Sequence, residues 1–383
     1  MTRLSVVGGG LGGLVAAIAA REVGLEVVVY EAKGQLGGRA RSTPEPRVAN
    51  WGPHALYADG SLWAWLCERD LLPPVAKPPL RRPLLMRRHG ELRRVPPLEL
   101  LRGLARTHGR TAPVDRTYAD WVTELAGPEV AHVLSHAAGV FSFDHDPGRL
   151  SAAFVHERMQ RVYRVPSPAR FVVGGWSTLV AGLERRAREL GVAVETGARV
   201  NVLPEPPVVV ALSPARSARL LGDPGLAGRG TRTALLDVAL TRRRGDPYIV
   251  LDLDASGWIE TYTFADASLA PAGEHLVQAQ AGLAPGEALD SGVARIEAVL
   301  DLGFADRRDR ETWRRRAVVT DESGALDLPG ATWRDRPAVA RGDGVHLVGD
   351  MVAARGLLGE VSANAALAAV RAVTGRRDRA AVA

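Results

Sequence analysis

Residues 4–31 read LSVVGGGLGGLVAAIAAREVGLEVVVYE. The apolar run before the glycines predicts a buried strand, the segment after them carries apolar residues at helical spacing, and VVVY predicts a second strand. The glycines Gly8, Gly10 and Gly13 stand in G-x-G-x-x-G spacing between strand and helix, and Glu31 ends the second strand. These elements in this order predict a βαβ unit that binds a dinucleotide.

In such a unit the first glycine permits a tight turn, the second lets a pyrophosphate approach the backbone, and the third lets the helix pack closely on the sheet. The helix N-terminus offers unpaired N–H groups and a partial positive charge to the phosphates. Glu31 would accept hydrogen bonds from the ribose hydroxyls of an adenosine. We expect three further residues around the same ligand: Leu11, Gly12 and Ala32.

A glycine pair and an arginine follow the acid directly, as Gly37, Gly38 and Arg39, with Ser42 three residues later. This resembles the G-G-R-x-x-S/T continuation of the superfamily of FAD-dependent amine oxidases, protoporphyrinogen oxidases and phytoene desaturases. In that superfamily the arginine and its glycines line the FAD pyrophosphate. The resemblance therefore implies non-covalent FAD rather than NAD, since Cys67, the one cysteine of the chain, is not placed like the cysteine that carries FAD in some relatives.

The segment 48–57 resembles the D-x-G-P/A-H segment of the same superfamily, with Gly52, Pro53 and His54 as the motif and Asn50 where an aspartate is common. The resemblance implies that these motif residues lie near the flavin ring. His54 is the histidine with a motif-based reason to lie there, and histidine exchanges protons near neutral pH. Two interpretations stay open: a catalytic His54, or a structural histidine packed under the cofactor.

The C-terminal motif begins at the apolar run that ends with Gly349 and Asp350. With the helix that follows, it resembles the G-D…G-E/A…S-A ending of the superfamily. The resemblance implies that Asp350 binds ribityl or pyrophosphate oxygens, that Leu357 and Leu358 lie beside the ring, and that the helix N-terminus stabilises negative charge on reduced flavin. It also implies that Val200, at the end of the predicted strand 192–200, packs on the adenine.

The resemblance covers the whole chain and implies an α/β fold: a Rossmann-like FAD-binding domain of the GR2 type with an inserted α+β substrate domain built on an antiparallel sheet. We assign residues 1–70, 165–232 and 338–375 to the FAD-binding domain, 71–164 and 233–337 to the substrate domain, and 376–383 to a disordered tail. The hairpin or meander that usually follows the strand 192–200 in the superfamily is expected to be missing, because residues 203–207 lead almost directly into the next strand.

Composition and charge favour a globular enzyme over a nucleic-acid-binding protein. The chain has 383 residues, 46% hydrophobic content and a net charge of +6, which suits a globular enzyme of two domains. We expect no nucleic-acid partner, because the basic residues lack a known motif or interleaved aromatics. No metal site is expected, although His132 and His136 have helical i, i+4 spacing. The chain has no signal-peptide pattern and no long apolar stretch, so a cytoplasmic location is expected.

Residues 81–110 carry nine arginines among leucines and prolines. Such a segment is typical either of a solvated basic face, which we favour, or of peripheral contact with an anionic membrane. The oligomeric state stays unknown from sequence.

Three functions fit the sequence. The first is an oxidoreductase that removes a hydride from a C–H or C–N bond of an apolar or biosynthetic small molecule, in the manner of desaturases and protoporphyrinogen oxidases. The second is a redox-neutral isomerase that uses reduced flavin. The third is a non-catalytic flavin-binding subunit of a biosynthetic complex.

Overall fold

The computed structural model describes residues 2–52, 54–79, 81–228, 230–320 and 325–375. Helices and strands in chain order are β1 Arg3–Val7, α1 Leu11–Glu22, β2 Glu26–Glu31, β3 Leu56–Tyr57, α2 Ser61–Cys67, β4 Val75–Ala76, β5 Leu84–Arg88, β6 Glu91–Arg93, α3 Leu98–Thr107, α4 Tyr118–Ala126, α5 Pro128–Ala137, α6 Gly139–Ser142, α7 Ala152–Val162, β7 Ala169–Val172, α8 Trp176–Glu189, β8 Ala193–Thr196, β9 Val208–Val210, α9 Pro214–Leu221, β10 Arg232–Thr241, β11 Ile249–Asp252, β12 Gly257–Thr261, β13 Glu274–Leu283, α10 Leu289–Gly303, α11 Arg307–Arg310, β14 Glu311–Thr320, β15 Ala340–Gly342, β16 Val345–Leu347 and α12 Gly359–Val373.

A parallel sheet forms the centre of the first domain. Its strand order is β15-β16-β9-β1-β2-β8, and every pairing is parallel except that of the edge strand β15. The strands β1, β2 and β9 read as continuous valine-rich runs because helices cover both faces of a parallel sheet. This arrangement confirms the predicted Rossmann-like α/β fold.

Helix α1 is buried along nearly its whole length, from Gly12 to Ala20. It packs against α12 on one side and α8 on the other, and the alanines between its larger residues allow the three helices to approach closely. Because α12 comes from the end of the chain and α8 from its middle, separate segments of the chain pack together around α1.

A seven-stranded sheet forms the centre of the second domain, in the order β14-β10-β13-β12-β11-β5-β6. All neighbours are antiparallel except β11 and β5, which pair in parallel. The predicted antiparallel sheet is therefore correct for five of its six pairings. Helix α10 covers one face of this sheet through Val293, Ile296 and Leu300, and the other face turns towards the first domain.

Residues 118–138 form two helices, because Pro128 has no N–H for a continuing helix and α4 ends before it. The predicted domain boundary at residue 70 lies too early: Leu71 and Leu72 pack against the core of the first domain, and β4 pairs with β7. The first domain thus extends through Ala76.

The shortened connection between β8 and β9 is as predicted: residues 197–207 contain no strand. No helix among the described residues is long and apolar enough to cross a bilayer. The predicted tail, residues 376–383, lies outside the described residues.

Candidate functional site

One cleft runs between the two domains and collects most of the predicted site residues. Its volume is about 330 Å³, within the range of small-molecule sites. One end is formed by the carboxyl ends of β1, β2 and β9, where a doubly wound sheet binds its ligand. The other end is formed by the seven-stranded sheet, through Thr233, Leu235 and Gln280.

The N-terminus of α1 opens directly into the cleft. Its N-cap is Gly10, which offers no side-chain cap, and no acidic residue stands in the first turn. A Cβ added to Gly10 would meet no atom within 4 Å, so it would project into open space in the cleft. Unpaired N–H groups, the positive end of the helix dipole and free space over Gly10 together form an anion site.

Glycine at position 13 has a different role, because α1 lies close to the turn before it. A Cβ on Gly13 would lie 1.9 Å from the carbonyl oxygen of Gly8, so this glycine is required for helix packing rather than for contact with a ligand.

Glu31 is held in place by two backbone amides. The N–H of Gly9 donates to Oε2 at 3.0 Å, and the N–H of Lys33 donates to Oε1 at 2.9 Å. Each carboxylate oxygen keeps a second lone pair, because an ionised carboxyl group can accept about four hydrogen bonds. The side chain is thus oriented at the edge of the cleft to accept hydrogen bonds from two neighbouring hydroxyls.

Arg39 and Asp350 join the two ends of the first domain across the cleft. Two guanidinium nitrogens of Arg39 lie 2.8 Å from the two carboxylate oxygens of Asp350, a bidentate pair. Arg39 remains about one-third exposed on the cleft side, so it can also contact an anion. A Cβ on the neighbouring Gly349 would meet no atom within 4 Å, which leaves the backbone here accessible to a ligand.

The N-terminus of α12 approaches the cleft through Leu358 and Gly359. Leu358 adopts φ 53° and ψ −116°, a conformation that costs a residue with a Cβ of order 1–3 kcal/mol. The neighbouring Leu357 is buried and does not line the cleft, so the structure brings one of the two predicted leucines to the site.

Glu360 stands in the first turn of α12 and is buried. It accepts hydrogen bonds from the N–H of Leu357 at 3.0 Å and from two nitrogens of Arg161 at 2.6 and 2.7 Å. Because Arg161 compensates its charge, Glu360 places no unpaired negative charge beside the cleft.

His54 lines the cleft with its ring edge-on to Trp176 at 4.8 Å between centroids. Its Nδ1 lies 2.8 Å from the carbonyl oxygen of Gly52, which can only accept, so Nδ1 carries the proton in the neutral ring. The pKa of His54 is lowered to about 4, mainly by burial and also by the charges of Arg39 and Arg315. The ring is therefore neutral at physiological pH, which favours the structural interpretation of His54.

A buried polar network supports the segment that carries His54. Asn50 accepts hydrogen bonds at Oδ1 from Ser42 Oγ at 2.8 Å and from the N–H of Trp176 at 3.0 Å. Its backbone N–H donates to Gln278 Oε1 at 3.2 Å, and its carbonyl accepts from Gln278 Nε2 at 2.9 Å. Asn50 thus ties the start of α8 to the seven-stranded sheet.

The network continues across the sheet, because Gln278, Asp237 and Arg315 occupy one row of paired positions on β13, β10 and β14. Gln278 donates to Asp237 at 2.9 Å, and Arg315 Nε donates to the other oxygen of Asp237 at 2.7 Å. Arg315 also donates to the carbonyl of Asn50 and lies over the ring of Trp51 at 5.0 Å. Burial raises the pKa of Asp237, and Arg315 opposes that shift.

The structure brings most of the predicted cofactor residues to one cleft: Gly8, Gly10, Leu11, Gly12, Glu31, Ala32, Gly37, Gly38, Arg39, Gly52, His54, Gly349, Asp350 and Leu358. Gly13 and Leu357 lie behind this lining. Val200 is partly buried against the first-domain core and does not line the cleft, so its contact with adenine stays a prediction. Pro53 lies outside the described residues.

Sequence reasoning missed several lining residues. Ser213, Pro214 and Arg216 begin α9 directly after β9, which repeats the strand–turn–helix order of β1 and α1 and could have been noticed. Phe143 and Gln280 carry no such signal, because only the pairing of distant strands brings them to the cleft. In the part of the chain that the structure describes, no group of three His, Cys, Asp or Glu residues could hold a metal ion.

The comparisons with known proteins agree with this architecture. Residues 6–68 match the model of an NAD(P)-binding Rossmann-like domain. No curated protein sequence matches the chain.

Among solved structures, an oxidoreductase from Methanosarcina mazei is similar over 96% of this chain and 99% of its own, with 18% identity and a TM-score of 0.77. Cyclohexylamine oxidase from Brevibacterium oxydans is similar over 98% and 99%, with 16% identity and a TM-score of 0.72. Reduced UDP-galactopyranose mutase is similar over 99% and 97%, with 12% identity and a TM-score of 0.74. The chain therefore has the same overall fold as these solved structures.

Proposed function

We propose that this protein binds FAD non-covalently and is an FAD-dependent oxidoreductase that removes a hydride from a C–H or C–N bond of a largely apolar small molecule. The observation that carries the proposal is the single cleft, which joins a dinucleotide site at Gly10 and Glu31 to an apolar chamber at the seven-stranded sheet.

The residues present fit FAD. Gly10 and Gly349 leave space where a Cβ would intrude on a pyrophosphate or ribityl chain, and the free N–H groups of α1 can bind the phosphates. Glu31 is oriented for ribose hydroxyls, and Arg39, fixed by Asp350, can contact the pyrophosphate. Cys67 is exposed and does not line the cleft, which supports non-covalent binding.

When bound, the flavin would supply the hydride acceptor. The protein's own residues bind, orient and exclude water. Trp51, Phe143 and Leu235 form an apolar wall at the sheet end of the cleft. The N-terminus of α12 places positive partial charge beside Leu358, where negative charge is stabilised. Neutral His54 can accept a hydrogen bond at Nε2 but has no imidazolium proton to give at neutral pH.

The lysines support the desaturase and protoporphyrinogen oxidase branch over typical amine oxidases, many of which place a lysine near the flavin. Lys33 lines the cleft beside Glu31, at the nucleotide end, and Lys77 does not line it. Neither stands at the sheet end, where the reacting group would lie.

A redox-neutral isomerase is a second candidate, favoured by the structural likeness to reduced UDP-galactopyranose mutase. Anaerobic titration of the yellow protein with candidate substrates tests both functions. Bleaching of the flavin by an apolar substrate supports the oxidoreductase, whereas turnover only after prior reduction by dithionite supports the isomerase. No bleaching by any candidate substrate, together with no turnover after reduction by dithionite, would contradict both and support a non-catalytic flavin-binding subunit.

The state of His54 leads to a prediction about pH. The pKa of His54 is lowered to about 4, so His54 does not titrate between about pH 5.5 and 8.5. The pH profile of the rate constant of flavin reduction should therefore have the same shape in the wild type and in His54→Asn over this range. Rapid-mixing absorbance at 450 nm across this range measures it. A wild-type inflection near pH 6.5 that is absent from the variant would assign a proton-exchanging role to His54 instead.

The arginine-rich segment 81–110 is the candidate for contact with a membrane. Two of its arginines, Arg87 and Arg88, form ion pairs within the protein, with Asp252, Asp254 and Glu129. In contrast, Arg102 and Arg106 lie exposed on α3.

The same helix exposes leucines at positions 98, 101 and 104, the first of them 80% exposed. We propose that this face contacts anionic lipid. Leu101→Ser should then reduce co-sedimentation with phosphatidylserine vesicles several-fold, while Leu302→Ser, a change of an exposed leucine on α10, should not. Equal loss in both variants, or no wild-type binding, would contradict the proposal.

A further inference from the structure

Gln280 lies in the middle of β13 with 2% of its surface exposed, and it lines the cleft. Its Nε2 donates to the carbonyl oxygen of Val140 at 3.5 Å. A carbonyl can only accept, so this contact fixes which end of the amide carries the nitrogen. Its Oε1 therefore points away from Val140, and it has no hydrogen-bond donor among the described residues.

The unpaired oxygen lies under the floor of the cleft. It is 3.9 Å from the point where a Cβ on Gly52 would lie, and Leu235 Cδ2 is 3.6 Å from the same point. Both Gly52 and Leu235 line the cleft. Because a buried carbonyl without a donor loses the hydrogen bonds it makes in water, an acceptor in this place is expected to have a partner that the protein itself does not supply.

The surroundings define what that partner can be. At this end the cleft is lined by Trp51, Phe143 and Leu235, and the polar side chain of Thr233 donates weakly to the carbonyl of Phe143 at 3.4 Å. The charged residues that line the cleft belong to its nucleotide end: Glu31, Lys33, Arg39, Arg41, Arg216 and Asp350. A charged group at the sheet end would lose its hydration and find no counter-ion among the described lining residues.

We infer that Gln280 determines specificity: its Oε1 accepts a hydrogen bond from a neutral N–H or O–H of the substrate. The substrate is then a mostly apolar molecule that carries the N–H of an aryl amine, a pyrrole-type N–H or a hydroxyl beside the bond that is oxidised. A pure hydrocarbon would leave the acceptor unpaired, and a permanent cation would find no counter-charge. This inference rests on the proposed function, which places the reacting bond at this end of the cleft.

Three bicyclic probes of similar shape test the inference: 1,2,3,4-tetrahydroquinoline, which is neutral at pH 7.5 and carries one N–H, its N-methyl derivative, and tetralin. Binding to the FAD-loaded protein is measured by calorimetry and by perturbation of the flavin absorbance. We expect the wild type to bind tetrahydroquinoline at least tenfold more tightly than either analogue, because a site built to hydrogen-bond a donor discriminates against its absence.

In Gln280→Met, which keeps the length of the side chain and removes the acceptor, the preference should fall to within twofold. Gln280→Glu, which keeps an acceptor, should retain a preference, and Thr233→Val should keep the tenfold ratio. Equal binding of the probes by the wild type would overturn the inference. An unchanged ratio in Gln280→Met, or a ratio lost in Thr233→Val, would also overturn it. A preference that is lost in Gln280→Met together with flavin affinity and with a lower unfolding temperature would indicate a structural role instead.

The flavin spectrum distinguishes a failure of the proposed function from a failure of the proposed role of Gln280. A wild-type protein that stays colourless with added FAD contradicts the proposed function before any probe is added. A yellow protein that does not discriminate between the probes contradicts only the role of Gln280.

Discussion

Gly10→Ser should weaken FAD binding strongly without harming the fold. Gly10 has φ −77° and ψ −175°, which any residue can adopt, and an added Cβ would meet nothing within 4 Å. Serine is also among the best N-cap residues, since its hydroxyl accepts from the amides of the first turn. Those amides are the ones that a pyrophosphate needs, so the new side chain both fills the anion site and competes for its donors.

We expect FAD affinity to fall at least 100-fold in Gly10→Ser, equivalent to about 2.8 kcal/mol. Titration of the apoprotein with FAD, followed by quenching of flavin fluorescence, gives the affinity, and thermal unfolding of the apoprotein reports on the fold. The unfolding temperature should stay equal or rise slightly.

Gly182→Ala is the matched control for Gly10→Ser. Gly182 lies within α8, also has no atom within 4 Å of an added Cβ, and does not line the cleft. This variant should bind FAD like the wild type and unfold at a slightly higher temperature, because alanine stabilises a helix interior relative to glycine. Normal FAD affinity in Gly10→Ser would place the pyrophosphate elsewhere and refute the assignment of the cleft.

Gly10 and Gly13 show which information a sequence motif gives and which it omits. The spacing of the motif predicts that both positions require glycine. The motif does not say which glycine faces a ligand and which faces another part of the backbone. That distinction follows from the 1.9 Å between a Cβ on Gly13 and the carbonyl of Gly8, against open space at Gly10.

Local pattern predicts the nucleotide end of the site well, since β1, α1 and β2 are consecutive and their order in space follows their order in sequence. It predicts the sheet end poorly. Gln280 and Thr233 reach the cleft only because β13 and β10 pair over ten residues each, and no short motif records that pairing. The same reason explains why Leu357 and Leu358 could not be told apart: the helix start that separates them depends on Glu360 and its distant partner Arg161.

Asn50 is another residue whose role needs the structure. From sequence it is a departure from the aspartate that is common in the superfamily. In the structure its side-chain oxygen accepts from Ser42 and Trp176, and its backbone is held by Gln278 and Arg315. The segment that leads to His54 is thus anchored to both domains, which makes the network beneath it a determinant of cleft geometry as well as of stability.

Arg315→Met should therefore be strongly destabilising. Arg315 is the cation beside Asp237, whose side chain is 1% exposed, so the substitution leaves a buried carboxylate without a counter-charge. Breaking such a pair typically costs about 3–5 kcal/mol. Urea unfolding at pH 7.5 measures the loss, and Arg316→Met is the control: its partner Asp290 is exposed, so that variant should lose less than about 1 kcal/mol.

The pH dependence identifies the cause of the loss in Arg315→Met. Burial already raises the pKa of Asp237, and Arg315 opposes this, so the pKa should rise further in the variant. A carboxyl group whose folded pKa lies above its unfolded value costs stability at high pH, and the cost disappears as pH falls through the folded pKa. The difference between wild type and variant should thus shrink towards pH 4, and Asp237→Asn in the variant background should recover part of it. A difference that is constant with pH, with no recovery by Asp237→Asn, would mean that lost packing over Trp51, rather than an unpaired carboxylate, destabilises the variant.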